Sequence, residues 1–329
     1  IAVDGTTATL SWSDVSDDDI SYFVVECKQS DGVWKSVSRT STNLGVNLSG
    51  LTPEHDYVYR VIGYDKRSNR GTPSEEITVT TLKDTICPKV TKITPDPGYF
   101  KSEINLRFTA EDDYRVKSIE IQTSTDKESW KTVSEIKATG ESAKCTFDCK
   151  LDLKNYEEGS VFVRAKVYDS YGNVTEDKDL TCYEYVVDRT APIQPTGVTA
   201  SSGETEGGSS FVNISWNAIT DDNSFAYYRV YKSNSADGEF TLLKNNVKTV
   251  NTYDENVDFS ATYYYKVEAV DLAGNVGKQS EVVSCKVKDD TEKPVIYDLS
   301  PVDGTRIGNN NNSCLLYTSD AADDLTRVD

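Results

Sequence analysis

The 329-residue sequence has no methionine and a single histidine, His55. A lone loop histidine, with no Gly-x-Ser-x-Gly and no glycine-rich phosphate loop beside it, leaves no recognisable catalytic constellation, so the region reads as non-catalytic. Long apolar runs are missing too. Nothing approaches the ~18 residues that a membrane-spanning helix needs. Positive charge is scarce, with 35 Lys and Arg against 54 Asp and Glu, a formal net charge of −19. Phosphate backbones and anionic bilayers recruit basic patches, which excludes nucleic acid and membrane insertion as roles of this segment. The 7 cysteines are scattered without CxxC or Cys/His spacing, which excludes a zinc site. Cys145 and Cys149 flank Phe147 in an alternating run, about 13 Å apart along a strand and too far to bridge each other. They read as buried free thiols; a bridge from Cys182 to either stays open.

No convincing amphipathic helix is present. The period that is present is two: Ala8-Thr-Leu10-Ser-Trp12, Val212-Asn-Ile214-Ser-Trp216, Ile104-Asn-Leu106-Arg-Phe108 and Val161-Phe-Val163-Arg-Ala165-Lys-Val167. Such runs end in Asp/Gly/Asn/Ser clusters roughly every 8–12 residues, the spacing of an all-β sandwich. Ser68-Asn69 and Gly172-Asn173 fit hairpin ends, where Gly and Asn tolerate positive φ. The length is too great for one sandwich and sufficient for three.

The strongest internal signal is self-similarity at an offset of 206 residues. Asp84-Thr85 with Pro88 recurs as Asp290-Thr291 with Pro294, Tyr57-Val-Tyr59-Arg-Val61 as Tyr263-Tyr-Tyr265-Lys-Val267, and Asp65…Asn69 as Asp271…Asn275. An offset of about two domain lengths makes the repeating unit a pair of modules. The expected order is module one at 1–83, module two at 84–188, module three at 189–289 and the truncated start of a fourth at 290–313. The joints Lys83–Pro88, Asp188–Pro192 and Asp289–Pro294 each contain proline, which stiffens them.

Modules one and three resemble fibronectin type III domains. The residues that carry this are Trp12 and Trp216 and the run Leu51-Thr-Pro53-Glu-His-Asp-Tyr57-Val-Tyr59-Arg-Val61. The resemblance implies a tyrosine corner at Tyr57 and Tyr263, whose hydroxyls bond back to the preceding loop. Module three departs from the pattern, with Val257 and Phe259 where module one has Leu51 and Pro53. Module one is expected to lack its first strand, which would lie upstream of Ile1, so the biological chain is expected to extend in that direction. Module two resembles bacterial immunoglobulin-like domains through Asp84-Thr85, Ala110-Glu-Asp-Asp113, Asp169-Ser-Tyr-Gly-Asn173 and Val187-Asp188-Arg-Thr-Ala-Pro192. Residues 314–329 resemble a translated sequencing-library adapter and are left out of the fold; without them the net charge is −16.

Two candidate sites stand out. Each module has an acidic cluster after its second strand and an Asp…Asn turn between its last strands. In an immunoglobulin-type sandwich these two loops share one end, where the joint also brings in Asp84 or Asp188. The Ca²⁺ candidates are Asp112, Asp113 and Asp169 in module two, and Asp221, Asp222 and Asp271 in module three. The competing reading is that these aspartates cap turns and keep an edge soluble. In module three, alternation leaves Tyr227, Tyr231 and Tyr264 facing outward, a stripe fit to stack on a glycan or an extracellular protein, against ordinary cross-strand pairing.

The reading is therefore an all-β tandem array of immunoglobulin-like and fibronectin type III sandwiches, monomeric and located outside the cell or on its surface. Its expected role is that of a non-catalytic spacer or adhesive region of a large bacterial protein. The alternatives are the accessory region of a secreted carbohydrate-active enzyme and the repeat region of a polymorphic toxin-like surface protein.

Overall fold

A computed structural model describes residues 2–290, except 14–17, 42, 207, 221 and 223. The expected fourth module at 290–313 and the tail at 314–329 lie outside the described residues, apart from Asp290. The described residues are almost entirely strand and turn, with one short 3₁₀ turn at Asp177–Asp179. No helix among them is long and apolar enough to cross a membrane. The chain divides after Asp188 into two compact units.

The first unit opens with module one. Strands β1 (Ala2–Val3), β2 (Thr7–Ser11) and β5 (Gly45–Ser49) form one sheet in the order β1-β2-β5. Strands β3 (Ile20–Lys28), β4 (Trp34–Thr40), β6 (Asp56–Asp65) and β7 (Ile77–Thr80) form the other, in the order β4-β3-β6-β7. The period-two runs explain which side chains meet: Ala8, Leu10, Val25, Cys27, Leu48, Tyr59 and Val79 share one core. The expectation that module one lacks its first strand needs correction. β1 pairs antiparallel with β2, Ala2 opposite Thr9 and Val3 opposite Ala8, so a short first strand is present.

Module two contains β8 (Lys89–Thr94), β9 (Tyr99–Phe100), β10 (Glu103–Ser124), β11 (Lys131–Asp152), β12 (Gly159–Asp169) and β13 (Tyr183–Val187). β10 and β11 are each 22 residues long, enough to serve both layers. The first half of β10 pairs with β8 and the end of β11, while its second half pairs with β12 and the start of β11. The change of partner falls where the register with β11 breaks, between Glu111 and Val116. A break of this kind bends a strand and re-aims its side chains. The acidic cluster of module two therefore sits on a strand irregularity and not in a free loop.

The second unit repeats the plan of module one. Strands β14 (Thr199–Glu204), β15 (Ser210–Ser215) and β18 (Asn251–Asp254) form one sheet. Strands β16 (Phe225–Ser233), β17 (Thr241–Val247), β19 (Thr262–Asp271) and β20 (Val283–Lys286) form the other, in the order β17-β16-β19-β20. The tyrosine corner forms in both modules. The Tyr57 hydroxyl accepts from Thr52 N–H at 2.8 Å, and the Tyr263 hydroxyl accepts from Asp258 N–H at 3.1 Å. The altered loop of module three leaves this bond intact, because the donor is backbone. The six described cysteines are all free thiols, Cys27, Cys149 and Cys285 among them buried. Cys182 is exposed, though, and Cys87 and Cys145 are half-buried.

Candidate metal centre at the joint of modules one and two

The same turn closes the last hairpin of all three modules. Asp65, Asp169 and Asp271 each donate their N–H to the carbonyl of the asparagine four residues on, at 3.2, 3.1 and 3.1 Å. One carboxylate oxygen accepts that asparagine's N–H, at 2.8, 2.8 and 2.7 Å, and the other accepts its side-chain Nδ2, at 2.7, 2.6 and 2.9 Å. The left-handed position falls on the residue before the asparagine: Ser68 at φ 64°, Gly172 at 93° and Gly274 at 80°. A hydroxyl further on completes the hairpin. Ser74, Thr175 and Ser280 accept from the N–H of Val61, Val167 and Val267. Sequence reading missed this hydroxyl, although Ser74 and Ser280 stand at the 206-residue offset.

In module two this turn becomes part of a larger arrangement. Asp84 from the joint, Asp112 from the irregularity in β10 and Asp169 from the end of β12 converge, one ligand oxygen from each lying within 4.8 Å of the others. Asp84 and Asp169 are both only 1% exposed. Asp84 Oδ1 accepts from Ile86 N–H at 2.9 Å, while its buried Oδ2 has no hydrogen-bond partner. Asp112 Oδ2 accepts from Arg115 N–H at 3.2 Å, while its buried Oδ1 has none. Burial raises the Asp112 carboxyl to about 6, helped by the negative charges of Asp113, Asp84 and Asp169. Burial also raises the Asp84 carboxyl, reinforced by Asp113 and Asp169.

The surroundings tie module one to the cluster. Exposed Asp113 accepts from the Thr6 hydroxyl at 2.8 Å. The Tyr171 hydroxyl donates to the Pro53 carbonyl at 3.1 Å, and Asn173 Nδ2 donates to the Asp84 carbonyl at 3.2 Å. Gly5 makes room for the joint, because a Cβ there would lie 3.0 Å from Asp84 Cα. Of the Ca²⁺ candidates, then, the fold brings together Asp112 and Asp169 with the joint residue Asp84, and turns Asp113 to Thr6. In module three Asp271 is engaged by Asn275, and Asp222 accepts from Ser224 N–H at 2.7 Å while its Oδ2 stays unpartnered. Asp221 lies outside the described residues.

The three outward tyrosines lie on the β16–β19 sheet of module three. Tyr227, Tyr231 and Tyr264 are half-buried. Arg229 lies between the first two along β16; it donates to the Tyr227 hydroxyl at 3.2 Å and to Glu268 at 3.2 Å. The Tyr231 hydroxyl donates to Glu268 at 2.6 Å. Tyr264 lies opposite Ser233, diagonal to Tyr231. On module two, a cleft of ≈ 760 Å³ is lined by Thr123, Ser134, Ile136, Asp148, Cys149 and Tyr156, among others. Its Asp148 is paired to Arg107 at 2.6 Å, which holds the carboxyl below its ordinary range.

Residues 1–80 match the family model of the fibronectin type III domain. The described residues thus form a row of β-sandwiches, the first of which matches the fibronectin type III model. It is 27% identical over 298 residues to Exoglucanase B of Cellulomonas fimi, covering 87% of this chain and 25% of that protein. It is 30% identical over 107 residues to Chitinase Chi52 of Paenibacillus xylanexedens, covering 32% and 18%. Among solved structures, the chicken CNTN1 FN1–FN3 domains are similar at 17% identity, over 88% of this chain and 96% of that one, with a TM-score of 0.45. The chain spans about a quarter or less of the length of these two enzymes.

Proposed function

We propose that this chain is the non-catalytic accessory region of a larger bacterial carbohydrate-active enzyme, acting outside the cell as a spacer. The observation that carries this reading is the extent of the match to the exoglucanase: it runs across 87% of this chain but only 25% of the relative. Three quarters of the relative lie outside the match. Proline-stiffened joints suit a spacer, since they limit how far adjoining modules can fold back. Arg229 and Glu268 engage the hydroxyls of Tyr227 and Tyr231, which favours ordinary cross-strand pairing and so the spacer over the adhesive reading.

The test is to assay the full chain on insoluble cellulose and chitin. The expected outcome is no release of soluble sugar and no more retention on the solids than a protein of similar charge shows. Hydrolysis would overturn the non-catalytic reading. Specific retention, reduced by Tyr231→Ala or Tyr264→Ala, would replace the spacer with a glycan-binding role.

A further inference from the structure

We propose that Asp84, Asp112 and Asp169 form a binding site for a divalent cation of the calcium type, which locks the joint between modules one and two. This goes beyond the accessory-region reading and stands or falls without it. Three observations converge. First, ligand oxygens that lie within 4.8 Å of one another fit around one ion at the ~2.4 Å distance of calcium–oxygen bonds, because opposite ligands on such a sphere are about 4.8 Å apart. Second, Asp84 is 1% exposed and its Oδ2 has no hydrogen-bond partner. A buried carboxylate oxygen without a donor is unfavourable unless a proton or a cation neutralises it. Asp112 Oδ1 is in the same condition. Third, Asp169 is already fixed by three bonds, from Tyr171 N–H, Asn173 N–H and Asn173 Nδ2, so its carboxylate is oriented before any ion arrives. Oriented neighbours of a ligating group are what make a metal site selective.

The donor set selects the ion class. All three side chains offer hard, anionic oxygen, with no nitrogen or sulfur in the cluster, which suits calcium over transition metals. Asp84 belongs to the joint, whereas Asp112 and Asp169 belong to module two. An ion held by all three therefore pins the joint to the sandwich. Asn173 reinforces the same link through the Asp84 carbonyl, and Thr6 of module one reaches the neighbouring Asp113. Ion release would leave three like charges facing one another across the joint.

Binding is tested on the full chain with terbium as probe, its luminescence excited through the adjacent tyrosines Tyr114 and Tyr171, whose rings lie 5.8 Å apart. We expect terbium binding that calcium displaces, with a calcium Kd of ~10⁻⁴ to 10⁻³ M. About 10 mM calcium should raise the melting temperature of the first unit by ~3–10 °C over chelator. Magnesium, which demands a smaller octahedral shell, should do so less. Asp84→Asn and Asp112→Asn should abolish the calcium shift, yet melt in chelator no lower than the parent, because each removes a like charge. Stability in chelator thus separates loss of the site from loss of the fold. Trypsin cleavage after Lys83, exposed in the joint, should slow several-fold in calcium. The proposal is overturned if calcium neither displaces terbium nor shifts melting at about 10 mM, or if both variants respond like the parent. Calcium binding that leaves Lys83 cleavage unchanged would overturn the locking role.

Discussion

Asp65 and Asp169 make the same turn with the same hydrogen bonds, yet one is an isolated cap and the other is part of a cluster. In module one the Asp65 turn stands in solvent: Lys66, Arg67, Ser68 and Asn69 are all exposed. Its carboxyl is held below the ordinary range, mainly by the Asn69 side chain and backbone. In module two the joint that leads in from module one closes over the turn, with Asp169 buried to 1% exposure and Asp84 and Asp112 set against it. The turn is local chemistry, and the site is what a neighbouring module adds to it. In module three Asp271 is likewise buried, to 2%, with its Asn275 bonds intact, and among the described residues it joins no such cluster.

This comparison can be broken by mutation. The largest effect is expected from Asp271→Ala, which removes the buried carboxylate that accepts from the half-buried Asn275 N–H and Nδ2. The cost is about 2–3 kcal/mol, read from urea unfolding of the second unit. Asp169→Ala loses the same bonds but also relieves repulsion with Asp84 and Asp112. In chelator it should cost less than Asp271→Ala, and in calcium the gap should close or reverse. Equal costs in chelator would mean that the cluster is not electrostatically stressed. Tyr57→Phe and Tyr263→Phe each remove a corner bond and should cost ~1 kcal/mol in their own unit; a negligible effect in module three would show that its altered loop has replaced the corner. The smallest effect is expected from Ser68→Gly. Ser68 holds φ 64°, where Gly172 and Gly274 stand in the other modules, so glycine should stabilise module one by up to ~1 kcal/mol. A destabilised variant would mean that the serine side chain contributes there.

Much of the fold was legible because its signals are local. Alternation places Phe108, Val163 and Ile214 in the core, since successive strand residues face opposite sides. The Leu-x-Pro-x-x-x-Tyr run pointed to the corner through its resemblance to fibronectin type III domains, and the bond itself spans only five residues. The hydroxyl lock of Ser74, Thr175 and Ser280 escaped notice because a serine or threonine beside a strand has many possible partners. The first strand of module one was also missed. Two residues give no readable pattern, and only pairing with Thr9 and Ala8 defines it.

The sequence by itself determined the all-β class and the Asp…Asn turns, and its family resemblance pointed to the tyrosine corners. Each rests on residues within a few positions of one another, or on a repeat that can be counted. Tertiary structure decided which aspartates meet. Asp84, Asp112 and Asp169 are far apart along the chain, and a break in the register of β10 with β11 sets where the middle one lies. It also decided that Asp113 turns to Thr6 and that Arg229 and Glu268 engage the tyrosines of module three. Long-range convergence depends on how sheets bend and how one module closes on the next, and alternation along a strand carries no record of either.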